Sequence, residues 1–139
     1  ARRAYECCPI ALAGIRSMCQ EEQDFIRENN IPVWYWDPNS LNSSWESILD
    51  SLSGSVYVSV DLDVLDPALM PAVGTPEPGG LTWHQLVSLL GVVGESRRIV
   101  GFDVCELAPA DGPPACSYTA AKLVYKLVAY ACGNKNQPS

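Results

Sequence analysis

The stretch that decides the fold runs from Tyr57 to Leu81 and reads YVSVDLDVLDPALMPAVGTPEPGGL. It opens with strand-forming residues, ends in a run of Pro and Gly, and contains two aspartates, Asp61 and Asp63, one residue apart. Two carboxylates at the end of an apolar strand repel each other, and each is costly to bury. The stretch therefore predicts a buried strand followed by a long loop. The two acidic residues at such a place indicate a specific role.

On both sides of this stretch, apolar strand-like runs alternate with helix-like segments. The predicted strands are Ile10–Ile15, Pro32–Trp36, Val56–Asp61 and Arg98–Glu106. The predicted helices are Gln20–Glu28, Ser43–Leu52 with a Ser43/Glu46 capping box, a helix that starts at Thr82 with Gln85 completing a second capping box, and a last helix with Ala120, Leu123, Val124, Leu127, Val128 and Ala131 on one face.

This order predicts an α/β fold, a three-layer αβα arrangement with a parallel sheet. The apolar runs are continuous, which suits parallel strands covered by helices on both faces. A length of 139 residues fits one domain, so we expect residues 1–139 to belong to a single domain. The end of the chain, residues 133–139, is expected to be a flexible tail.

The composition narrows the classes of function. With 47% apolar and 18% charged residues the chain is globular, and its net charge of −7 disfavours nucleic acid as a partner and favours a cationic ligand. No apolar run is long enough to span a membrane. The six cysteines form no C-x-x-C pair, which indicates reduced thiols and predicts a cytoplasmic protein.

The two aspartates leave two interpretations open. If the strand continues through them, Asp61 and Asp63 point to the same face, roughly 6 to 7 Å apart. A divalent cation such as Mg, Ca or Mn would then relieve their repulsion. Alternatively the role is structural: Asp63 or Asp66 caps the loop, and Asp66 with Pro67 starts a turn.

Glu106 and His84 are two further polar residues that bear on the site. Glu106 follows the last predicted strand beside the same loop, where a carboxylate can accept two parallel hydrogen bonds from a guanidinium group or can be a simple rim charge. The sole histidine, His84, lies in the first turn of a predicted helix and is interpreted as a surface residue. One histidine excludes a His-rich zinc site within these residues, and the chain has no phosphate-binding glycine loop.

Four segments together resemble a known family. SVDLDVLDP (59–67), GTPEPGGL (74–81) and GFDVCELAP (101–109) are similar to the C-terminal half of the ureohydrolases, which comprise arginases, agmatinases and related amidinohydrolases. LAGIRSMCQEEQDF (12–25) is similar to an upstream part of the same half. The resemblance covers residues 11–127 and is closer to the agmatinase branch.

The resemblance implies roles for specific residues. Asp61 would bridge two Mn(II) ions and Asp63 would bind one of them, while Glu106 would hold the guanidinium and Thr75 would line the same pocket. The implied reaction is hydrolysis of a guanidino compound, most simply agmatine to putrescine and urea, by metal-activated water. The implied assembly is a homo-oligomer, a trimer or a hexamer.

The chain also departs from the family pattern. The N-terminal half of the family brings further His and Asp ligands and a catalytic His, so we assign no catalytic residue here and expect the chain to be a C-terminal portion that is inactive alone. After Glu106 the chain reads Leu-Ala-Pro, where many relatives have Asn before Pro. The alternatives are a non-catalytic scaffold or partner-binding module and, less favoured, a Mg-dependent phosphoryl-transfer domain.

Overall fold

The structure, a computed structural model, describes residues 2–37 and 46–133. The chain divides into two compact units, Ala1–Leu52 and Ser53–Ser139. Residues 43–45, which include the predicted Ser43 cap, and tail residues 134–139 lie outside the described part of the chain. The assignment of residues 1–139 to one domain with a flexible tail stays a prediction.

The first unit contains two short parallel strands and three helices in its described residues. In chain order these are α1 (Arg2–Tyr5), β1 (Leu12–Ile15), α2 (Gln20–Glu28), β2 (Val33–Tyr35) and α3 (Glu46–Ser51). The Cys19 amide donates to Glu22 Oε2 at 2.8 Å, which caps α2. The sequence did not predict α1, which is fixed by contacts of Tyr5 and Arg2 with the Phe25 ring, at 5.5 and 5.0 Å from its centroid.

The second unit is built on two longer parallel strands. Its elements are β3 (Ser55–Asp61), a 3-10 turn (Leu62–Val64), α4 (Trp83–Ser96), β4 (Arg98–Cys105), a second 3-10 turn (Pro109–Asp111) and α5 (Pro114–Cys132). The register pairs Asp61 with Cys105, so both strands end at the same edge of the sheet. In parallel α/β sheets that carboxyl edge is where sites form, and here it places the two predicted site segments side by side.

The helix α4 forms as its sequence predicts. The Thr82 hydroxyl accepts from the Gln85 amide at 3.3 Å, and Gln85 Oε1 accepts from the Thr82 amide at 2.8 Å. This reciprocal capping box fixes the start of the helix. The predicted apolar stripe is buried, namely Leu86, Leu89, Leu90 and Val93, and His84 is exposed as expected.

Two packing predictions need correction. In α5 the buried residues include Cys116, Ala120, Leu123 and Leu127, whereas Val124 and Val128 are 39% and 46% exposed. The buried residues lie three or four positions apart, so they form one face of α5 that begins at Cys116 and packs against β4 and α4. Likewise β3 alternates between covered and exposed positions, with Tyr57 63% exposed, instead of being buried on both faces.

The loop between β3 and α4 is packed against its own ends. Leu65 and Leu81 form an isolated parallel bridge, the Asp66 amide donates to the Leu81 carbonyl at 3.0 Å, and the Leu81 amide donates to the Val64 carbonyl at 2.8 Å. Several of the loop's side chains belong to the core, namely Leu65, Met70, Ala72, Val73 and Leu81. A long connection is thereby held in place by buried apolar area and by its backbone hydrogen bonds.

Closure of this loop requires Gly80. A β-carbon on Gly80 would lie 2.5 Å from the Asp66 amide nitrogen and from the Leu65 carbonyl carbon, which are backbone atoms. We expect Gly80→Ala to lower the free energy of unfolding by about 1–3 kcal/mol, because the two backbone segments must separate. Gly54→Ala is the matched control, since nothing lies within 4 Å of a β-carbon there. Urea unfolding of both variants tests this, and equal midpoints would contradict it.

Candidate metal and substrate site

The two aspartates do not continue the strand together. β3 ends at Asp61, and Asp63 lies in the 3-10 turn that follows. The Asp61 carboxylate caps this turn by accepting the Asp63 amide at 3.4 Å. The premise that the strand continues through Asp63 is therefore wrong, because the chain turns after Asp61 while Leu62 enters the core, fully buried.

The structure nevertheless brings the four predicted site residues together. Thr75 Oγ1 donates to Asp63 Oδ2 at 3.1 Å, and a β-carbon on Gly74 would lie 3.6 Å from Glu106 Oε2. Glu106 is also close enough to Asp61 to raise the pKa of that carboxyl group. The loop thus meets the ends of β3 and β4 at one place, as its length and position predicted.

Glu106 has an unusual backbone. β4 ends at Cys105, and Glu106 has a φ of +68°, a region that residues with a side chain seldom adopt. The sequence predicted that the strand would include Glu106, which is incorrect by one residue. Strained conformations of this kind cost on the order of 1–3 kcal/mol and collect at functional sites, where the surroundings impose them.

The carboxylates affect one another electrostatically. The pKa of Asp61 is raised from 3.8 to about 6, first by desolvation and then by the charge of Asp63, with a smaller contribution from Glu106. The Asp63 amide opposes the shift by hydrogen bonding to the charged form. Asp61 as a whole residue is exposed, so its carboxylate is only partly withdrawn from water.

The carboxylate of Asp103 has hydrogen-bond partners outside the group formed by Asp61, Asp63 and Glu106. Its Oδ1 accepts the Cys105 thiol at 2.9 Å and the Ser59 hydroxyl at 2.7 Å. These hydrogen bonds, that of Cys105 first, lower the pKa of Asp103 below its usual 3.8. All six cysteines of the chain are free, and Cys116 alone among them is buried.

The oxygen donors fit part of a site for a hard cation. Asp61 and Asp63 offer carboxylate oxygens, which Mn(II) and Mg(II) accept, and a cation would offset the repulsion that raises the Asp61 pKa. Within residues 2–37 and 46–133, no group of three or more His, Cys, Asp or Glu side chains is arranged to hold a metal. A complete metal site would need ligands in addition to the described residues.

The structural interpretation of Asp66 is confirmed. Asp66 Oδ1 accepts the Ala68 amide at 2.9 Å and starts the predicted turn at Pro67. The sequence did not reveal that Asp66 Oδ2 also accepts the Gly79 amide at 3.0 Å, across 13 residues. The Gly79-Gly80 pair was the available signal, since Gly79 has a φ of +75° and a β-carbon on Gly80 would lie 2.5 Å from the Asp66 amide nitrogen.

In the metal-free chain, stability should fall as pH rises from about 4 to about 6. A carboxyl group whose folded pKa is raised binds its proton more tightly when folded, so its contribution is present at low pH and is lost through pH 6. Solvent screening of the partly exposed group reduces the expected difference to about 1 kcal/mol. The measurement is urea unfolding with a chelator at several pH values, and Asp61→Asn should remove the difference. Parallel pH profiles of the two proteins would contradict the assignment.

Comparison with known proteins identifies the family of this chain. The parallel strands and the helices between them define an α/β protein, and the arginase family model matches residues 1–129. The chain belongs to the arginase family, whose fold is the three-layer αβα arrangement with a parallel sheet that the sequence predicted. No helix among the described residues is long and apolar enough to cross a membrane.

Individual relatives agree with this assignment. The N(1)-aminopropylagmatine ureohydrolase of Synechocystis sp. is 42% identical over 124 residues, which are 88% of this chain and 40% of that protein. The agmatinase of Pyrococcus horikoshii is 34% identical over 92% of this chain and 45% of its own length. The crystal structure of the agmatine ureohydrolase of Thermoplasma volcanium superposes with a TM-score of 0.77 at 31% identity, over 94% of this chain and 45% of that one. The chain thus spans about two fifths of the length of these curated relatives.

Proposed function

We propose that this chain supplies carboxylates of the metal and substrate site of a ureohydrolase that releases urea from a guanidino compound. One observation carries the proposal: Asp61, Asp63, Thr75 and Glu106 meet at the ends of neighbouring strands in a member of the arginase family. By full-length protein we mean a longer chain of this family that contains residues 1–139 as its C-terminal portion.

Each residue has a separate role in the proposal. Asp61 and Asp63 hold manganese, two ions per complete site, together with ligands from outside residues 1–139. Bound manganese supplies Lewis-acid activation of water and stabilisation of developing charge. Thr75, whose hydroxyl donates to Asp63 Oδ2, lines the substrate pocket beside the proposed metal ligands.

Glu106 is proposed to bind the guanidinium group. A carboxylate can accept two parallel N–H bonds from a guanidinium, a contact that fixes the plane of the substrate. Glu106 is exposed at the end of β4, and its carboxylate lies near Gly74, where a β-carbon would be 3.6 Å from Oε2. Water adds to the guanidinium carbon and the carbon–nitrogen bond to the alkyl amine breaks. The oxygen stays in urea, and the two protons of the water leave on the amine as an ammonium group.

The proposed substrate is agmatine, with N(1)-aminopropylagmatine as the second candidate. The three relatives named above each carry one of these two substrates in their names, and both substrates are polycations that suit a chain with net charge −7. The proposal includes a homo-oligomeric, cytoplasmic full-length protein. The alternative function is a non-catalytic scaffold or partner-binding module, which predicts no urea release.

The test is a urea-release assay on the full-length protein loaded with manganese. We expect urea from agmatine or N(1)-aminopropylagmatine at rates above those from arginine, and none from residues 1–139 alone, since two carboxylates make an incomplete metal site. A chelator should abolish the activity, and added Mn(II) should restore it. A full-length protein that folds and binds manganese but releases no urea from any of the three compounds would favour the scaffold alternative.

A further inference from the structure

The side chain of Asp66 joins two distant parts of the loop between β3 and α4. Its Oδ1 accepts the Ala68 amide at 2.9 Å, and its Oδ2 accepts the Gly79 amide at 3.0 Å. The first bond is a local turn of a kind that aspartate commonly makes. The second spans 13 residues and has no local explanation, so it is a contact specific to this loop.

The residues between these two contacts differ in how they are held. Ala72 and Val73 are buried, and the Ala72 carbonyl accepts the Ala108 amide at 2.9 Å, so the start of the segment is fixed by the core. The next five residues, 74–78, are all exposed. Such a segment buries little apolar area, so its position depends on polar contacts and on the anchors at its two ends. At the other end of the segment, Gly79 donates to the Asp66 carboxylate, next to the backbone hydrogen bonds of Leu81.

This exposed segment carries the loop's part of the candidate site. Thr75 donates to Asp63 at 3.1 Å, and Gly74 lies against the carboxylate of Glu106. A change in the position of Gly79 would shift Thr75, four residues away, without moving β3 or β4. The consequence would fall on the substrate side of the site and would leave the strand-end carboxylates in place.

We propose that Asp66 is a positioning residue for the substrate site: by holding Gly79, it fixes the exposed segment 74–78 so that Thr75 meets Asp63 and Gly74 lies against Glu106. The inference rests on the function proposed above and names a residue that acts on that site only through the loop. Asp66 contacts neither metal nor substrate in this account.

Asp66→Asn separates the long-range contact from the local turn. Asparagine can retain the turn to Ala68 through its amide oxygen, but its NH₂ group then faces the Gly79 N–H, and two donors cannot pair. Hydrogen exchange of the 139-residue chain should show the Gly79 amide exchanging about tenfold or more faster, while β3 amides keep their protection. Asp66→Ala, which removes both acceptors, should show at least the same effect.

The second readout is kinetic and uses the full-length protein. Asp66→Asn should raise KM for the guanidino substrate about tenfold, with kcat changed much less and manganese content unchanged. The effect should be largely absent in a Thr75→Ala background, since residues acting through one contact are not additive. Asp50→Asn, an exposed aspartate of α3 in the other unit, is the charge control and should change none of these quantities.

The outcomes are distinguishable. Unchanged Gly79 exchange, unchanged KM, full additivity with Thr75→Ala, or loss of manganese in step with activity would each overturn the positioning role. If the wild-type full-length protein releases no urea, the proposed function fails and the role of Asp66 at a substrate site fails with it. If the wild type is active and only the Asp66 predictions fail, the proposed function stands.

Discussion

Asp61→Asn in the full-length protein is expected to lose manganese and activity together. Asp61 is the last residue of β3. Desolvation and the charge of Asp63 raise the pKa of its carboxyl group to about 6, so the charged form is costly without a cation. A neutral amide removes the charge that attracts a cation and replaces one donor oxygen by an NH₂ group, which does not bind metals. Replacing groups one contact removed from a metal typically costs about 10–100-fold, so a direct ligand should cost more than about a hundredfold in manganese affinity and in kcat/KM.

The matched control for this experiment is Asp103→Asn. It makes the same chemical change on the neighbouring strand, where the carboxylate is occupied by Cys105 and Ser59. We expect Asp103→Asn to keep its manganese, as measured by elemental analysis of the purified protein. A thermal melt of each variant establishes that the comparison is made between folded proteins. If Asp61→Asn keeps wild-type manganese, or if both variants lose it equally, Asp61 is not a ligand.

The parts of the fold that could be predicted are those that neighbouring residues determine. The helix α4 is set by Thr82 and Gln85, three residues apart, and by apolar side chains at helical spacing. The strands are set by short, mostly apolar runs, and their observed bounds lie within one or two residues of the predicted ones. Such signals are local, so they can be extracted from one sequence.

The parts that could not be predicted depend on contacts between distant residues. The turn after Asp61 exists because the Asp61 carboxylate captures the Asp63 amide and Leu62 is drawn into the core, a choice that strand propensity does not contain. The exposed Val124 of α5 shows the same limit, because a broad apolar stripe does not reveal which of its residues meets a partner.

In the candidate site, too, the positions of residues along the chain could be predicted, whereas contacts between distant residues could not. The positions of Asp61, Asp63 and Glu106 at strand ends follow from the sequence, and the long loop indicated where they would meet. The contact of Thr75 with Asp63 spans 12 residues and needed the structure, as did the backbone of Glu106 with its φ of +68°. The roles of these residues in binding metal and substrate stay predictions, to be tested by substitution.

Glu106→Gln in the full-length protein is expected to lose substrate binding and keep its metal. Glutamine has the size of glutamate but lacks the charge, and its NH₂ group cannot accept the second N–H of a guanidinium. Loss of a charge-assisted double contact should lower kcat/KM by several-fold to about a thousandfold, or about 1.5 to 4 kcal/mol. Because the guanidinium is common to agmatine, N(1)-aminopropylagmatine and arginine, the loss should be similar in relative size for every compound that the wild type hydrolyses.

The control variant is Glu95→Gln, the same substitution at an exposed position near the end of α4. It should keep wild-type kinetics, which excludes a general effect of lowering the negative charge of the protein. Manganese content measured in the same preparations separates Glu106 from Asp61, since the two carboxylates interact electrostatically in the metal-free chain. Full activity in Glu106→Gln, or a loss of manganese as large as that in Asp61→Asn, would contradict this division of roles, because a carboxylate that binds only the guanidinium has no metal to release.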